Sequence, residues 1–199
     1  SLNYNPFSST AVTGVVGALY EPLFYMNNLK DDPTKLEPLM GKSYTISDDA
    51  KTIDVTIRDG EKWSDGKPYT AEDVEYTFNL LNSNKALNTS GFAGSVKALS
   101  DTEVRITLDK PESVNALSYL SGTMIVPKHV WEKIDDPVTY TNKDAVGSGP
   151  FTVKGGNFSP TAYTFKKNPY YWDEGKPEID GVRYVLITGG TQASQKDRK

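Results

Sequence analysis

Along much of the chain the apolar positions repeat with a period of two, and only a few stretches switch to helical spacing. Tyr44 and Ile46 precede a polar turn at Ser47-Asp48-Asp49-Ala50-Lys51. Ile53, Val55 and Ile57 then alternate with Thr52, Asp54, Thr56 and Arg58, which predicts a hairpin with one buried face. Val96 and Ala98, a turn at Ser100-Asp101, and Val104, Ile106 and Leu108 predict a second hairpin. Phe151 to Lys154 and Tyr163 to Lys167 predict a third, entered through the tight turn Gly147-Ser148-Gly149-Pro150. Leu23 to Met26 and Met124 to Val126 are apolar runs that predict short strands. Val182 to Ile187 is nearly continuous in apolar residues and predicts a strand buried on both faces.

Helical spacing is clearest after Thr70, an N-cap residue with Asp73 three positions on, as in a capping box. Val74, Phe78 and Leu81 fall on one face, so a helix is predicted over Ala71 to Leu81. Thr13 to Tyr20 predicts a shorter helix with Val15, Val16 and Leu19 on one face, ended by Pro22. Pro111 suits the first turn of a helix reaching about Leu120, with Val114, Leu117 and Leu120 inward. Pro127 opens another through Trp131. Leu2 to Ser9 is expected to be extended, since Pro6 bars a helix there. Strands and helices intermix, so the fold class is mixed α/β. After Thr188 the composition turns polar and offers no core-forming face. A buried-type strand running into such a tail reads as a chain that continues past Lys199.

Composition narrows the function. Net charge is −4 with no basic stripe, which disfavours a nucleic-acid partner, because a phosphate backbone needs clustered Lys and Arg. No apolar run approaches the length of a bilayer span, and no leader pattern opens the chain. The absence of Cys excludes disulfides, zinc–thiolate sites and thiol nucleophiles. His129, the sole imidazole, has no acidic or Ser neighbour at a diagnostic spacing. Asp31-Asp32, Asp48-Asp49 and Asp135-Asp136 lie in predicted turns and read as solvated acids. A carboxylate pair assembled from distant positions stays open. Gly147-Ser148-Gly149-Pro150 is too short for a phosphate loop, and Pro150 lacks the amide donor such a loop uses. Asn88-Thr89-Ser90 and Asn157-Phe158-Ser159 fit the glycosylation pattern. No catalytic, metal or cofactor constellation emerges, and the chain reads as a non-enzyme.

One stretch is more specific. The first predicted hairpin is followed by Arg58-Asp59-Gly60, then Trp63-Ser64-Asp65-Gly66-Lys67-Pro68, then Thr70-Ala71-Glu72-Asp73-Val74 opening a helix. Before it stand Asn5-Pro6-Phe7 and Leu19-Tyr20-Glu21-Pro22-Leu23. After it come Ile125-Val126-Pro127-Lys128-His129-Val130-Trp131, Gly147-Ser148-Gly149-Pro150-Phe151 and Lys167-Asn168-Pro169-Tyr170-Tyr171-Trp172. In this order the segments resemble the bacterial extracellular solute-binding proteins of family 5, the oligopeptide- and dipeptide-binding type.

That resemblance implies a two-lobed periplasmic-binding-protein fold, class II, of the large three-domain type. Residues 1–36 and 148–187 would belong to part of lobe I, and residues 37–147 to an inserted α/β subdomain. Residues 188–199 would be a cut end, with lobe II absent. It further implies an extracytoplasmic component of an ABC importer, monomeric and without a cofactor. Such a component captures oligopeptides, or alternatively β-linked oligosaccharides or another small solute, and delivers them to the transmembrane permease. A lipid anchor would sit on a residue upstream of Ser1. Asn5, Phe7, Ser8, Tyr20 and Glu21 are the candidate ligand contacts, each with a structural alternative: Phe7 and Tyr20 as core, Asn5 as a turn former, Glu21 as an exposed or capping acid. Trp63 is expected to plug the space between strand and helix.

Overall fold

The computed structural model describes residues 2–32 and 34–187. The polar run from Thr188 onward, and the expectation that the chain continues past Lys199, lie outside the described residues. Among the described residues, nine strands fall into three antiparallel sheets. β1 (Phe24–Tyr25) pairs with β2 (Glu37–Pro38). β3 (Gly41–Ile46), β4 (Thr52–Ile57), β5 (Gly94–Ala98) and β6 (Glu103–Leu108) form a four-stranded sheet in the order β3-β4-β6-β5. β7 (Phe151–Thr152), β8 (Ala162–Lys167) and β9 (Gly181–Val185) form the third.

The four-stranded sheet follows its period-two pattern. Ile53, Val55, Ile57, Val104 and Ile106 are buried, while Thr52, Asp54 and Thr56 between them are not. Register places Ile53 opposite Ile106, and Val55 opposite Val104, so the apolar face is one ladder. Across it lies α1 (Ala71–Ser83), which buries Val74, Phe78 and Leu81. The helix starts where expected: the Thr70 hydroxyl accepts from Glu72 N at 3.3 Å, and the Asp73 carboxylate accepts from Thr70 N at 2.9 Å. Phe78, Phe92 and Tyr119 meet edge to face at 4.8 and 5.3 Å, closing the layer toward α2 (Ser113–Gly122). Trp63 has no exposed surface. It stacks on Tyr69 at 4.4 Å, and its indole N–H donates to Asp73 Oδ2 at 3.1 Å.

A second core gathers Tyr4, Val15, Leu19, Tyr20, Met124, Val126, Trp131, Phe151, Tyr163 and Phe165. α3 (Lys128–Trp131) supplies Trp131 to it. The glycines of Gly147-Ser148-Gly149 serve close approach: a Cβ on Gly147 would sit 1.9 Å from Leu19 O, and one on Gly149 2.3 Å from Ala18 O. Two segments pass between the cores. Tyr20 belongs to the second and Leu23 and Phe24 to the first. Met124 and Val126 belong to the second, with Ile125 in the first.

Four local expectations are corrected. No α-helix forms over Thr13 to Tyr20. Gly14 and Gly17 take φ of 91° and 96°, and the turn closes through wide bonds, Leu19 N to Gly14 O and Tyr20 N to Val15 O. Val16 is extended and exposed rather than packed beside Val15 and Leu19. In α2 the buried stripe is Ala116, Tyr119 and Leu120; Val114 lies off it and is 78% exposed, and Pro111 precedes the helix. Met124 to Val126 joins no sheet; Ile125 N bonds Glu21 O, and Val126 N bonds Thr77 Oγ1. Val182 to Ile187 is not buried on both faces: β9 is the edge strand of its sheet, with Val185 62% and Ile187 73% exposed.

Candidate functional site

The N-terminal segment is held by its own side chains before it can meet a ligand. Asn3 Nδ2 donates to Ser8 Oγ and Thr10 Oγ1, both at 3.0 Å, and Asn3 Oδ1 accepts from Asn5 N. Asn5 is buried, and its amide reaches across 132 residues to Pro137 O at 2.9 Å and also to Tyr140 O at 3.0 Å. Its Oδ1 accepts from Phe7 N at 3.0 Å, fixing the turn at Pro6. Phe7 then lies edge to face on Trp131 at 5.5 Å.

The five candidate contacts are not brought to one place. Asn5 and Tyr20 face the second core with no exposed surface. The Tyr20 hydroxyl accepts from Asn142 Nδ2 at 2.8 Å, and burial pushes its phenol well above the ordinary range. Phe7 and Ser8, both partly exposed, open on a cleft of about 290 Å³. Its other walls are Leu81 at the end of α1, Leu87, Thr89 and Ser90 in the loop that follows, and Gly122 to Met124 after α2. Among the described residues no charged side chain lines this cleft, so hydroxyls and apolar surface are what a ligand meets there.

Glu21 stands apart. Its side chain is buried, accepting from the Tyr171 hydroxyl at 2.6 Å and from the Trp172 indole N–H at 3.4 Å. Loss of hydration pushes its carboxyl up to about 7; the two hydrogen bonds offset part of that rise, and the nearby Asp173 charge adds to it.

A larger cleft, about 580 Å³, lies on β7 and β8 between Tyr4, Asp65, Lys143, Asp144, Lys154 and Phe158. Sequence reasoning missed these positions. Lys143 and Asp144 follow Asn142, which adopts φ of 53°, in a loop with no period to read. Phe158 carried the one usable signal: an aromatic residue, 61% exposed, among small polar turn residues. The sequence also showed no acidic neighbour for His129. In the fold, Asp65 Oδ2 lies 2.7 Å from His129 Nε2, tying α3 to the Trp63–Gly66 turn. Among the described residues no cluster of three or more His, Cys, Asp or Glu could hold a metal ion. The Asn88 amide is already engaged, donating to Phe92 O and accepting from Phe92 N.

The described residues thus form two cores joined by crossing segments, with an uncharged cleft at Phe7 and Ser8 and a larger one lined in part by Asp65, Lys143, Asp144 and Lys154. Residues 35–198 match the bacterial extracellular solute-binding proteins, family 5 (middle), and the chain belongs to that family. It is 27% identical to the dipeptide-binding protein DppE of Bacillus subtilis, over 92% of this chain and 38% of DppE. It is 33% identical to the peptidoglycan-binding protein YepA of Agrobacterium fabrum, over 85% of this chain and 28% of that one. Its fold superposes with a TM-score of 0.83 on a periplasmic oligopeptide-binding protein of Thermotoga maritima solved with mannohexaose bound. That match is at 27% identity and covers 96% of this chain and 36% of the other. The chain thus spans less than two-fifths of the length of these relatives. The fold is that of the periplasmic-binding-protein class, and the relatives are substrate-binding transport proteins. No helix among the described residues is long and apolar enough to cross a membrane.

Proposed function

We propose that this chain carries one wall of the solute cleft of an extracytoplasmic ABC-importer binding protein, and that the solute is an oligopeptide. The observation that supports this reading most is the family match over residues 35–198 together with the likeness to DppE and to an oligopeptide-binding fold. In this reading residues 1–36 and 148–187 contribute to one lobe, residues 37–147 form a subdomain inserted into it, and the second lobe is contributed from outside this chain. Phe7 and Ser8 are the ligand contacts of choice, because they alone of the five candidates open on a cleft. Asn5 holds the turn that presents them. The absence of charge in that cleft suits recognition of peptide backbone and apolar side chains, whose hydrogen bonds strengthen once water is excluded.

A second reading has its own support. One relative in the fold comparison binds mannohexaose, and Phe7 is an aromatic surface of the kind a sugar ring stacks on. Isothermal titration of the chain with tri- to pentapeptides and with β-linked hexasaccharides separates the two. Weak saturable heat with peptides, lost in Phe7→Ala, supports the first reading. Heat with the oligosaccharides alone replaces it with the second, and heat that survives Phe7→Ala removes this cleft from both.

A further inference from the structure

Residues 168–173 lie across the junction of the two cores, and three aromatic side chains there are each engaged by neighbouring residues. Asn168 anchors the start, its amide donating to Gly149 O at 2.9 Å and its backbone N–H to Pro150 O at 2.9 Å. Tyr170 lies over Gly66, where a Cβ would approach its hydroxyl to 3.1 Å, with Lys62 Nζ 5.7 Å from its ring. Trp172 lies under the Arg58 guanidinium, 3.9 Å from the ring centroid, and Arg58 Nε bonds Leu39 O at 2.6 Å. Tyr171 and Trp172 both donate to the buried Glu21 carboxyl. Gly66, Lys62 and Arg58 belong to the stretch carrying the first core, while Asn168 is fixed to the second.

We propose that residues 168–173 act as a strap that fastens the two units to each other, and that Glu21 is its pH-sensitive clasp, loosening as the medium moves from mildly acid to neutral. The groups facing Glu21 are Tyr171, Trp172 and Asp173 on the strap and Tyr69 from the loop before α1, while Arg58 meets the Trp172 ring and not the carboxyl. No cation bonds Glu21 among the described residues, so its charge is met by two neutral donors only. Burial and the neighbouring Glu21 charge hold the Tyr171 phenol far above the ordinary range, so Tyr171 remains a donor throughout. When Glu21 loses its proton, a desolvated charge sits beneath the strap, and lifting the strap hydrates it. The clasp thereby couples acidity to the junction and leaves the hydroxyl-lined cleft unaltered in composition.

Trp172 is a natural reporter, because Trp63 and Trp131 are fully buried and packed elsewhere. Hydrogen exchange of residues 170–176, corrected for intrinsic rates, is expected to show protection falling roughly tenfold to a hundredfold from pH 5 to pH 8. Trp172 emission is expected to titrate with a midpoint near neutrality. Glu21→Gln, which keeps the shape and removes the charge, should hold high protection at both pH values. Tyr171→Phe, which removes a donor to the carboxylate, should move the midpoint upward. His129→Gln removes the sole imidazole and should leave the transition in place. Equal protection at pH 5 and 8 in the wild type overturns the proposal. So does a transition that persists in Glu21→Gln or vanishes in His129→Gln; should Glu21→Gln not fold, an unmoved midpoint in Tyr171→Phe does the same.

Discussion

The four-stranded sheet and the three-stranded sheet are built from the same period-two pattern and end in opposite conditions. In the first, β4 and β6 are central, and the side chains of Ile53, Val55, Val104 and Ile106 have no exposed surface. Their cover comes from α1 and α2, a few dozen residues away in the chain. In the second, β8 is covered on one face by Tyr4, and its Tyr163 hydroxyl donates to Thr13 O, while Val185 on β9 and Ile187 beyond it lie in solvent. A strand pattern therefore specifies which residues share a face, and the neighbours decide whether that face is buried.

The largest effect that sharpens the contrast is a core deletion in the first unit. Phe78→Ala empties a fully buried site against Phe92 and is expected to cost about 3–5 kcal/mol, read from the urea midpoint. A loss comparable to that of an exposed β9 substitution would erase the distinction between the two units.

Next is the junction between them. The Glu21 carboxyl has a folded-state pKa of about 7 against an ordinary 4.5. The folded chain thus holds the proton longer than the unfolded one. Its contribution is complete below about pH 4.5 and is lost as pH rises to about 7, a change of about 3 kcal/mol. Other carboxylates, such as Asp54 beside Arg105, are shifted downward and act oppositely. The measurement is accordingly the difference in unfolding free energy between Glu21→Gln and wild type at pH 4 and pH 8. The variant is expected to gain at the higher pH only.

Smaller still is the α1 cap. Thr70→Ala should cost about 1 kcal/mol by chemical denaturation, since it frees Glu72 N. Least of all, Val185→Thr on the exposed edge should change stability by no more than about 0.5 kcal/mol.

What could be read from the chain follows the reach of each interaction. The capping box at Thr70 and Asp73 is three residues wide, and the hairpins around Ser47–Lys51 and Ser100–Asp101 are local, so both were legible. Val15 to Leu19 misled because Gly14 lies under Tyr184, far along the chain, and needs a positive φ. The same holds for the site. Asn5 and Glu21 were singled out through the segments Asn5-Pro6-Phe7 and Leu19-Tyr20-Glu21-Pro22-Leu23 that carry the family resemblance. Their partners at Pro137, Tyr140, Tyr171 and Trp172 follow from packing alone. Phe7 and Ser8 share a cleft with Thr89, Ser90 and Thr123, which no spacing connects.

The most direct test of the proposed function is an amide NMR titration of the 199-residue chain with a short mixed-sequence peptide. Shifts are expected to concentrate at residues 7–9, 87–90 and 122–124, and to weaken in Phe7→Ala. Shifts confined to the cleft over β7 and β8, or none at saturating peptide, would contradict a solute wall at Phe7 and Ser8.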